Sequence, residues 1–435
     1  MNSDLLVPGT ELSELSFSNF IDWFIHVSDI RIHLKNQPTY IISQFAYLVG
    51  TLFTITHALY RGGRLPYLWF SIMLHGLIVE SISYVHPDVD NFWHSQTPIM
   101  FLGRRLPLHI IFLYPCFLYQ SSIGVAKMRL PKWSEPFAVG LLVVLIDIPY
   151  DIVSVRFLHW TWHDTDPNIF DRHYWVPWNS YYFHATFAAS FTFWFHFFKD
   201  KLCTSDGKWI ADKRKSREVL CAILAGLLGA PGGILMFIAI YHPLHDIYQI
   251  HSEVTFFTIF AIFLLIIWVG DRKPKSDKVT KELSHETHWT TWVLLAHLIL
   301  HFFTFLGITI FFNPENEIST GIREKLGPCD EYTYVQSALG MLLRKRKYLC
   351  PTDYDEQYFD WSCLPDKKHP SLGSLWYTTC GVPFTNRPEY ILIISLICGL
   401  AAVIFYNLHF QSEGDSVFNY KFTKHNVTVL RKKKK

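Results

Sequence analysis

The sequence predicts an all-α membrane protein, a bundle of about nine spanning helices. Half of its 435 residues are hydrophobic and only 17% are charged, whereas charged residues make up about a quarter of a soluble domain. Nine stretches of roughly 20 mostly apolar residues are long enough to cross a bilayer. Lysine and arginine cluster between alternate stretches, which is typical of loops on the cytosolic side.

An N-terminal segment, residues 1–39, precedes the first span. Apolar side chains such as Phe17, Ile21 and Phe24 recur at helical spacing beside Asp22. This pattern predicts an amphipathic helix over residues 12–34 that lies in the membrane interface. Residues 1–10 do not resemble a signal peptide, so membrane targeting is expected to depend on the first span.

The spans divide the rest of the chain. Eight of them form a core over residues 40–312, and the ninth follows a long loop, residues 313–389, and precedes a basic tail, residues 411–435. They are predicted at residues 40–60, 66–85, 106–126, 136–157, 178–198, 218–241, 254–270, 289–312 and 390–410.

Loop charge predicts a lumenal N-terminus and a cytosolic C-terminus. The loops after the odd-numbered spans and the tail are basic. Arg104 and Arg105, and the run at residues 344–347, fall on the opposite side. The final Lys432 to Lys435 fit a dilysine signal for return to the endoplasmic reticulum, although a basic tail beside anionic lipid is the alternative.

The long lumenal loop contains four of the eight cysteines, Cys329, Cys350, Cys363 and Cys380. Cysteines gathered on the lumenal side predict two disulfides, with three pairings open. A zinc site is the alternative, but the loop has no pair of cysteines separated by two residues.

Ionisable residues concentrate near the lumenal ends of the spans. Asp147 and Asp151 are four residues apart within an apolar stretch, so both lie on one face of the fourth helix. Intramembrane carboxylates are rare and usually face a cavity, and Glu80 in the second span is a third. We predict that these three, with Asp166, are catalytic; a buried structural contact is the alternative.

Aromatic and histidine residues surround these carboxylates along the sequence. Trp160, Trp162, Tyr174 and Asn179 could line a substrate pocket, because indole faces stabilise positive charge, or belong to the aromatic belt at headgroup level. A second candidate is a zinc site that combines two neighbouring histidines with one or two from another loop. Its ligands would be His242, His245, His86 and His94. Histidines isolated within spans, such as His184, are expected to be core residues.

The run Asp147-Ile-Pro-Tyr-Asp151, Trp160-Thr-Trp162, Tyr174-Trp-Val-Pro-Trp-Asn179 resembles a pattern in the bacterial and archaeal carotenoid hydratase family. The resemblance covers about residues 74–198 and implies that Asp147, Asp151, Glu80 and Asn179 are pocket residues. It does not extend to the lumenal histidines, the cysteine loop or the last two spans. The overall layout is similar to an uncharacterised animal family of multi-pass membrane proteins.

Three functions remain open from the sequence. The first is an enzyme that acts on a lipid or isoprenoid by acid–base chemistry in a polar cavity at the lumenal end of the bundle. The second is a proton- or cation-coupled transporter that uses the same carboxylates. The third is a non-catalytic scaffold of the endoplasmic reticulum. Membrane lipid and a hydrophobic small molecule are the expected partners, and the absence of a basic stripe argues against nucleic acid.

Overall fold

Long helices dominate the described part of the chain. The computed structural model describes residues 3–85, 92–163, 165–205, 207–272, 288–411 and 417–418. Its long helices are α1 (Pro38–Arg61), α2 (Leu65–Val85), α3 (Leu108–Ala126), α4 (Glu135–Arg156), α5 (Trp178–Leu202), α6 (Lys215–His242), α7 (Ser252–Asp271), α8 (Trp289–Phe311) and α9 (Arg387–Tyr406).

Eight of these helices are long and apolar enough to cross a membrane, within the residues that the structure describes. The exception is α5, which the sequence analysis counted as a span. Its 25 residues would rise about 37 Å at roughly 1.5 Å per residue, so composition rather than length excludes it. The helix packs between α4 and α6, and most of its residues are buried.

The N-terminal segment differs from the single amphipathic helix predicted over residues 12–34. It forms two short helices, Phe20–Phe24 and Ile30–Asn36, separated by strand β1 (Ile25–Val27). The side chains of Asn19 and Asp29 cap the two helices at their N-termini. Strand β1 pairs with a later strand, Ile99–Phe101, so this tertiary pairing overrides the helical periodicity of the sequence.

Short strands fill the segments that connect the helices at one end of the bundle, so the fold is not purely α-helical. After β1 they are β2 (Phe92–His94), β3 (Ile99–Phe101), β4 (Leu106–Pro107), β5 (Trp160–Trp162), β6 (Arg172–His173), β7 (Val176–Pro177), β8 (Ile318–Ile322), β9 (Tyr332–Gln336), β10 (Leu342–Arg346), β11 (Phe359–Asp360) and β12 (Trp376–Gly381).

The cysteine-containing loop is built around these strands. One sheet has the order β11, β12, β8, with β12 buried along its whole length, and β9 pairs with β10. Two disulfides join Cys329 to Cys350 and Cys363 to Cys380. The prediction of two disulfides is therefore confirmed, and the structure selects one of the three pairings.

This sheet region attaches directly to the helical bundle. Buried Glu317 contacts the backbone and hydroxyl of Thr39 at the start of α1, and burial raises the pKa of this carboxyl to about 8. Buried Arg323 donates to Thr161 Oγ1 in β5 at 2.6 Å. Strand β5 in turn pairs with β2, with His94 opposite Trp160. The strands therefore cover the ends of α2 and α4.

Candidate functional site

A cavity of about 210 Å³ lies within the bundle, beneath strands β2 and β5. Helices α2 to α6 contribute its walls. Most of its lining is aliphatic or aromatic, with a few polar side chains among them, as is usual for sites that bind small molecules. The apolar lining includes Val79, Ile110, Leu113, Phe117, Leu118, Val143, Phe183, Phe187, Ala188, Ala230 and Ile234.

Asp151 is the carboxylate of α4 that lines this cavity. Ser180 Oγ of α5 donates a hydrogen bond to Asp151 Oδ2 at 2.7 Å. Asp147 lies one turn earlier and is fully buried behind it, with His184 Nε2 3.4 Å from Asp147 Oδ1. Within the described residues, neither Asp147 oxygen accepts a hydrogen bond of normal geometry. The Asp151 carboxyl is therefore in contact with the cavity, whereas the Asp147 carboxyl lies behind Asp151.

The close approach of α4 and α5 brings these side chains together. Asp147 and Asp151 share one face of α4, and Ser180 and His184 share one face of α5, because each pair is four residues apart. Gly140 of α4 packs directly on the backbone of α5. One ligand atom each from Asp147, Asp151 and His184 lies within 4.8 Å of the others.

His184 was the residue that the sequence analysis missed. It was expected to be an ordinary core histidine, but it lines the cavity and faces Asp147. Its position four residues after Ser180 repeats the spacing of the two aspartates, and this was the available signal. Only the packing of α5 against α4 reveals that the two faces meet.

Glu80 of α2 also lines the cavity. Tyr114 of α3 donates its hydroxyl to Glu80 Oε1 at 2.7 Å. Gly76 permits this contact, because a Cβ at that position would lie 2.4 Å from the Tyr114 ring. The cavity therefore has carboxyl groups from two different helices, α2 and α4.

The other predicted substrate and catalytic residues separate into two groups. Trp160, Trp162 and Asn179 line the cavity. Tyr174 instead donates to Glu389 Oε1 at 2.5 Å, and Asp166 caps a short 3₁₀ helix by accepting from the Asn168 backbone at 2.8 Å. Neither Tyr174 nor Asp166 is among the cavity-lining residues.

Among the described residues, the predicted zinc ligands do not form a single cluster. His242 and His245 both direct Nδ1 to the carboxylate of Asp246, at 2.8 Å each, whereas His94 lies in the cavity wall. His86 falls outside the described residues. Among the described residues, the one cluster suited to a metal ion is Asp147, Asp151 and His184.

Comparison with known protein families finds one match. A family described as a domain of unknown function, DUF7802, matches residues 12–410. The chain belongs to this family. The match covers every long helix, the sheet region and all the cavity-lining residues. No curated protein and no solved structure matches the chain.

Proposed function

We propose that this DUF7802 protein is an intramembrane enzyme that acts on a lipid or isoprenoid by acid–base chemistry. The observation that carries the proposal is the buried pair Asp147 and Asp151, of which Asp151 lines a mostly apolar cavity. Two adjacent carboxylates without compensation would be very costly in such surroundings. A protein that keeps both must hold a proton or a cation there.

Asp151 is the group placed to react. A protonated carboxyl that touches an apolar substrate can transfer its proton to an alkene or to a leaving group. Aromatic faces, such as that of Trp160, stabilise the cation that results. Glu80, on another wall, can orient the water that adds to this cation and take up its proton. Asp147 contacts Asp151 from behind the cavity and acts as a positioning residue, together with His184.

The test is the conversion of lipids by the reconstituted protein. The full chain would be placed in liposomes that contain a mixed extract of lipids and isoprenoids, and the products would be followed by mass spectrometry. We expect a product with wild type and with Asp200→Asn, a half-exposed carboxylate at the C-terminal end of α5. We expect no product with Asp151→Asn. Equal conversion by Asp151→Asn would refute the proposal.

A second candidate is a divalent cation held by Asp147, Asp151 and His184. Two carboxylates and one neutral imidazole would neutralise such an ion, and this donor set suits zinc and several other divalent metals. Elemental analysis of the purified protein would test it. About one metal ion per chain, lost in Asp147→Asn/Asp151→Asn, would support the metal. Retention in that variant and loss in His242→Ala/His245→Ala would instead locate the metal at the histidines.

We also propose that the cavity end of the bundle faces the lumen of the endoplasmic reticulum. The disulfides of the sheet region suit an oxidising compartment, and basic residues collect in the loops at the opposite end. A glycosylation site engineered into the β9–β10 turn should be modified in microsomes, whereas the natural sequon at Asn426 should not. Modification of Asn426 alone would reverse the orientation.

A further inference from the structure

The N-terminal segment exposes large apolar side chains shortly before the first membrane helix. Six of them, all between residues 20 and 34, are 45–71% exposed. We call this set the N-terminal apolar row, which consists of Phe20, Ile21, Phe24, Val27, Ile30 and Leu34. Both short helices and strand β1 contribute to it. Exposed apolar area that is concentrated in this way marks a surface that another body covers, such as a membrane or a protein.

The segment is fixed to the rest of the protein by contacts that leave the row exposed. Strand β1 pairs with β3. In the turn after β3, the amides of Leu102 and Gly103 donate to the carbonyl oxygens of Phe24 and Trp23, at 3.1 and 2.6 Å. The Trp23 ring lies against Gly103, where an added Cβ would come within 3.1 Å of Trp23 Nε1. The row is therefore presented by a folded unit that is joined to the bundle through its backbone.

Chain connectivity places the row beside the membrane. Leu34 lies four residues before Pro38, where α1 begins, so their Cα atoms are no more than about 14 Å apart. Helix α1 is one of the helices that are long and apolar enough to cross a membrane. Exposed apolar side chains continue along α1 at Ile42 and Phe45. The row therefore adjoins the lipid-facing surface of α1.

The second short helix, Ile30–Asn36, directs its apolar and charged side chains to different sides. Ile30 and Leu34 are four residues apart and share one face. Arg31 and Lys35 share a second face, about 100° further around the helix. All four side chains are exposed, whereas His33 is buried against the protein. A helix that lies along a membrane surface needs this arrangement, with its apolar face in the lipid and its charges in water.

Charge does not explain an attraction between this segment and a membrane. Residues 20–36 contain two acidic residues, Asp22 and Asp29, and two basic residues, Arg31 and Lys35. Arg31 and Asp29 are also paired with each other, at 2.6 Å. A segment without net charge gains little from anionic lipid. Its affinity for a bilayer must therefore come from the burial of apolar area.

From these observations we infer that residues 20–36 lie along the leaflet at the cavity end of the bundle, with the N-terminal apolar row buried among the lipids. The partner is the phospholipid bilayer itself, whatever the charge of its headgroups. The anchor is a folded unit of two helices and a strand rather than one continuous helix. This inference does not depend on the proposed enzymatic activity.

Fluorescence quenching with the full-length protein in phosphatidylcholine liposomes tests the inference. The four cysteines outside the disulfides would be replaced by alanine, namely Cys116, Cys203, Cys221 and Cys398. An environment-sensitive dye would then be attached to Leu34→Cys or to its matched control, Lys35→Cys. We expect nitroxide-labelled phosphatidylcholine to quench the dye at position 34 and aqueous iodide to leave it unquenched. The dye at position 35 should show the reverse, because the two neighbouring side chains face different directions.

A second measurement uses the wild-type chain and therefore does not depend on the folding of the cysteine variants. Phosphatidylcholine with a photoactivatable acyl chain would be cross-linked to the protein in liposomes, and the adducts would be located by mass spectrometry. We expect adducts on the N-terminal apolar row and none on Arg31 or Lys35. A row without adducts, in a protein whose α1 is labelled at Phe45, would contradict the inference.

The remaining outcomes separate the lipid from other partners. Added phosphatidylserine should leave the quenching at position 34 unchanged, and quenching that requires phosphatidylserine would overturn the apolar basis of the inference. Iodide quenching as strong at position 34 as at position 35 would show that the row is in water. Protection of position 34 from both quenchers would show that a protein surface, such as a second copy of this chain, covers it. Either result would overturn the inference.

Discussion

Gly140 offers a direct test of how the carboxylate site is assembled. A Cβ at this position would lie 2.4 Å from the backbone carbonyl oxygen of Ala185, whereas ordinary contact begins at 3.4 Å. Alanine here would therefore require α4 and α5 to separate locally by about 1.0 Å, the difference between these two distances. Asp147, on α4, and His184, on α5, would move apart with their helices.

The expected change in the stability of Gly140→Ala follows from comparison with a glycine in open space. A Cβ added at Gly399, in α9, meets nothing within 4 Å, so Gly399→Ala gains only helix propensity, about 1 kcal/mol. Gly140→Ala has the same gain but adds the overpacking penalty, about 1–3 kcal/mol. The propensity gain cancels between the two variants, so the difference between them measures the contact of α4 with α5.

Thermal unfolding of the purified protein in detergent provides the assay. In domains larger than about 150 residues, each kcal/mol of lost stability lowers the melting temperature by about 2–4 °C. Gly140→Ala should therefore melt at least about 2 °C below Gly399→Ala. Because the close contact is with a backbone oxygen, Ala185→Gly should not restore stability to Gly140→Ala. Equal melting of the two alanine variants, or full recovery with Ala185→Gly, would refute the reasoning.

Three further predictions concern other parts of the fold. The pKa of Glu317 in the folded protein is about 8, above its value in the unfolded chain. Its contribution to stability is therefore complete below pH 4.5 and is lost as the pH rises through 8. The difference between the melting temperatures at pH 6 and pH 9 should shrink in Glu317→Gln but not in the exposed control Glu315→Gln. Arg64 and Glu218 form a fully buried ion pair at 2.8 Å, so Arg64→Leu should destabilise the bundle by about 3–5 kcal/mol. Adding Glu218→Leu should recover part of that loss. If the losses of the two single variants simply add in the double variant, the two charges do not stabilise each other. Cys363→Ser opens a loop of 17 residues and should lower stability in a melting experiment by about 3 kcal/mol, whereas unchanged melting would show that the sheet does not depend on this disulfide.

Much of the fold was predictable because its signals are local. The length of their apolar stretches identifies α1 to α4 and α6 to α9 as membrane helices, because every span needs about 20 mostly apolar residues to cross a bilayer. The remaining predicted span, α5, has sufficient length but is less apolar than the others, and it packs against α4 and α6. Strand β1 was missed because its partner, β3, lies more than 70 residues later in the chain.

The candidate site was predictable in part. Asp151 and Glu80 were identified because a carboxylate in an apolar span has few structural explanations. His184 was not identified, because histidine is common in buried cores. Asp166 and Tyr174 were predicted from the concentration of ionisable and aromatic residues near the lumenal ends of the spans, but neither lines the cavity.

The sequence by itself determined that this chain is a multi-pass helical membrane protein with two disulfides in its longest connecting loop. These properties depend on the composition and length of single segments, which are the same in any arrangement of the helices. Only the tertiary structure decided which cysteines pair, that the strands cover one end of the bundle, and that Asp151 and His184 line the same cavity. Those properties depend on contacts between distant segments, such as the close approach of α4 to α5 at Gly140.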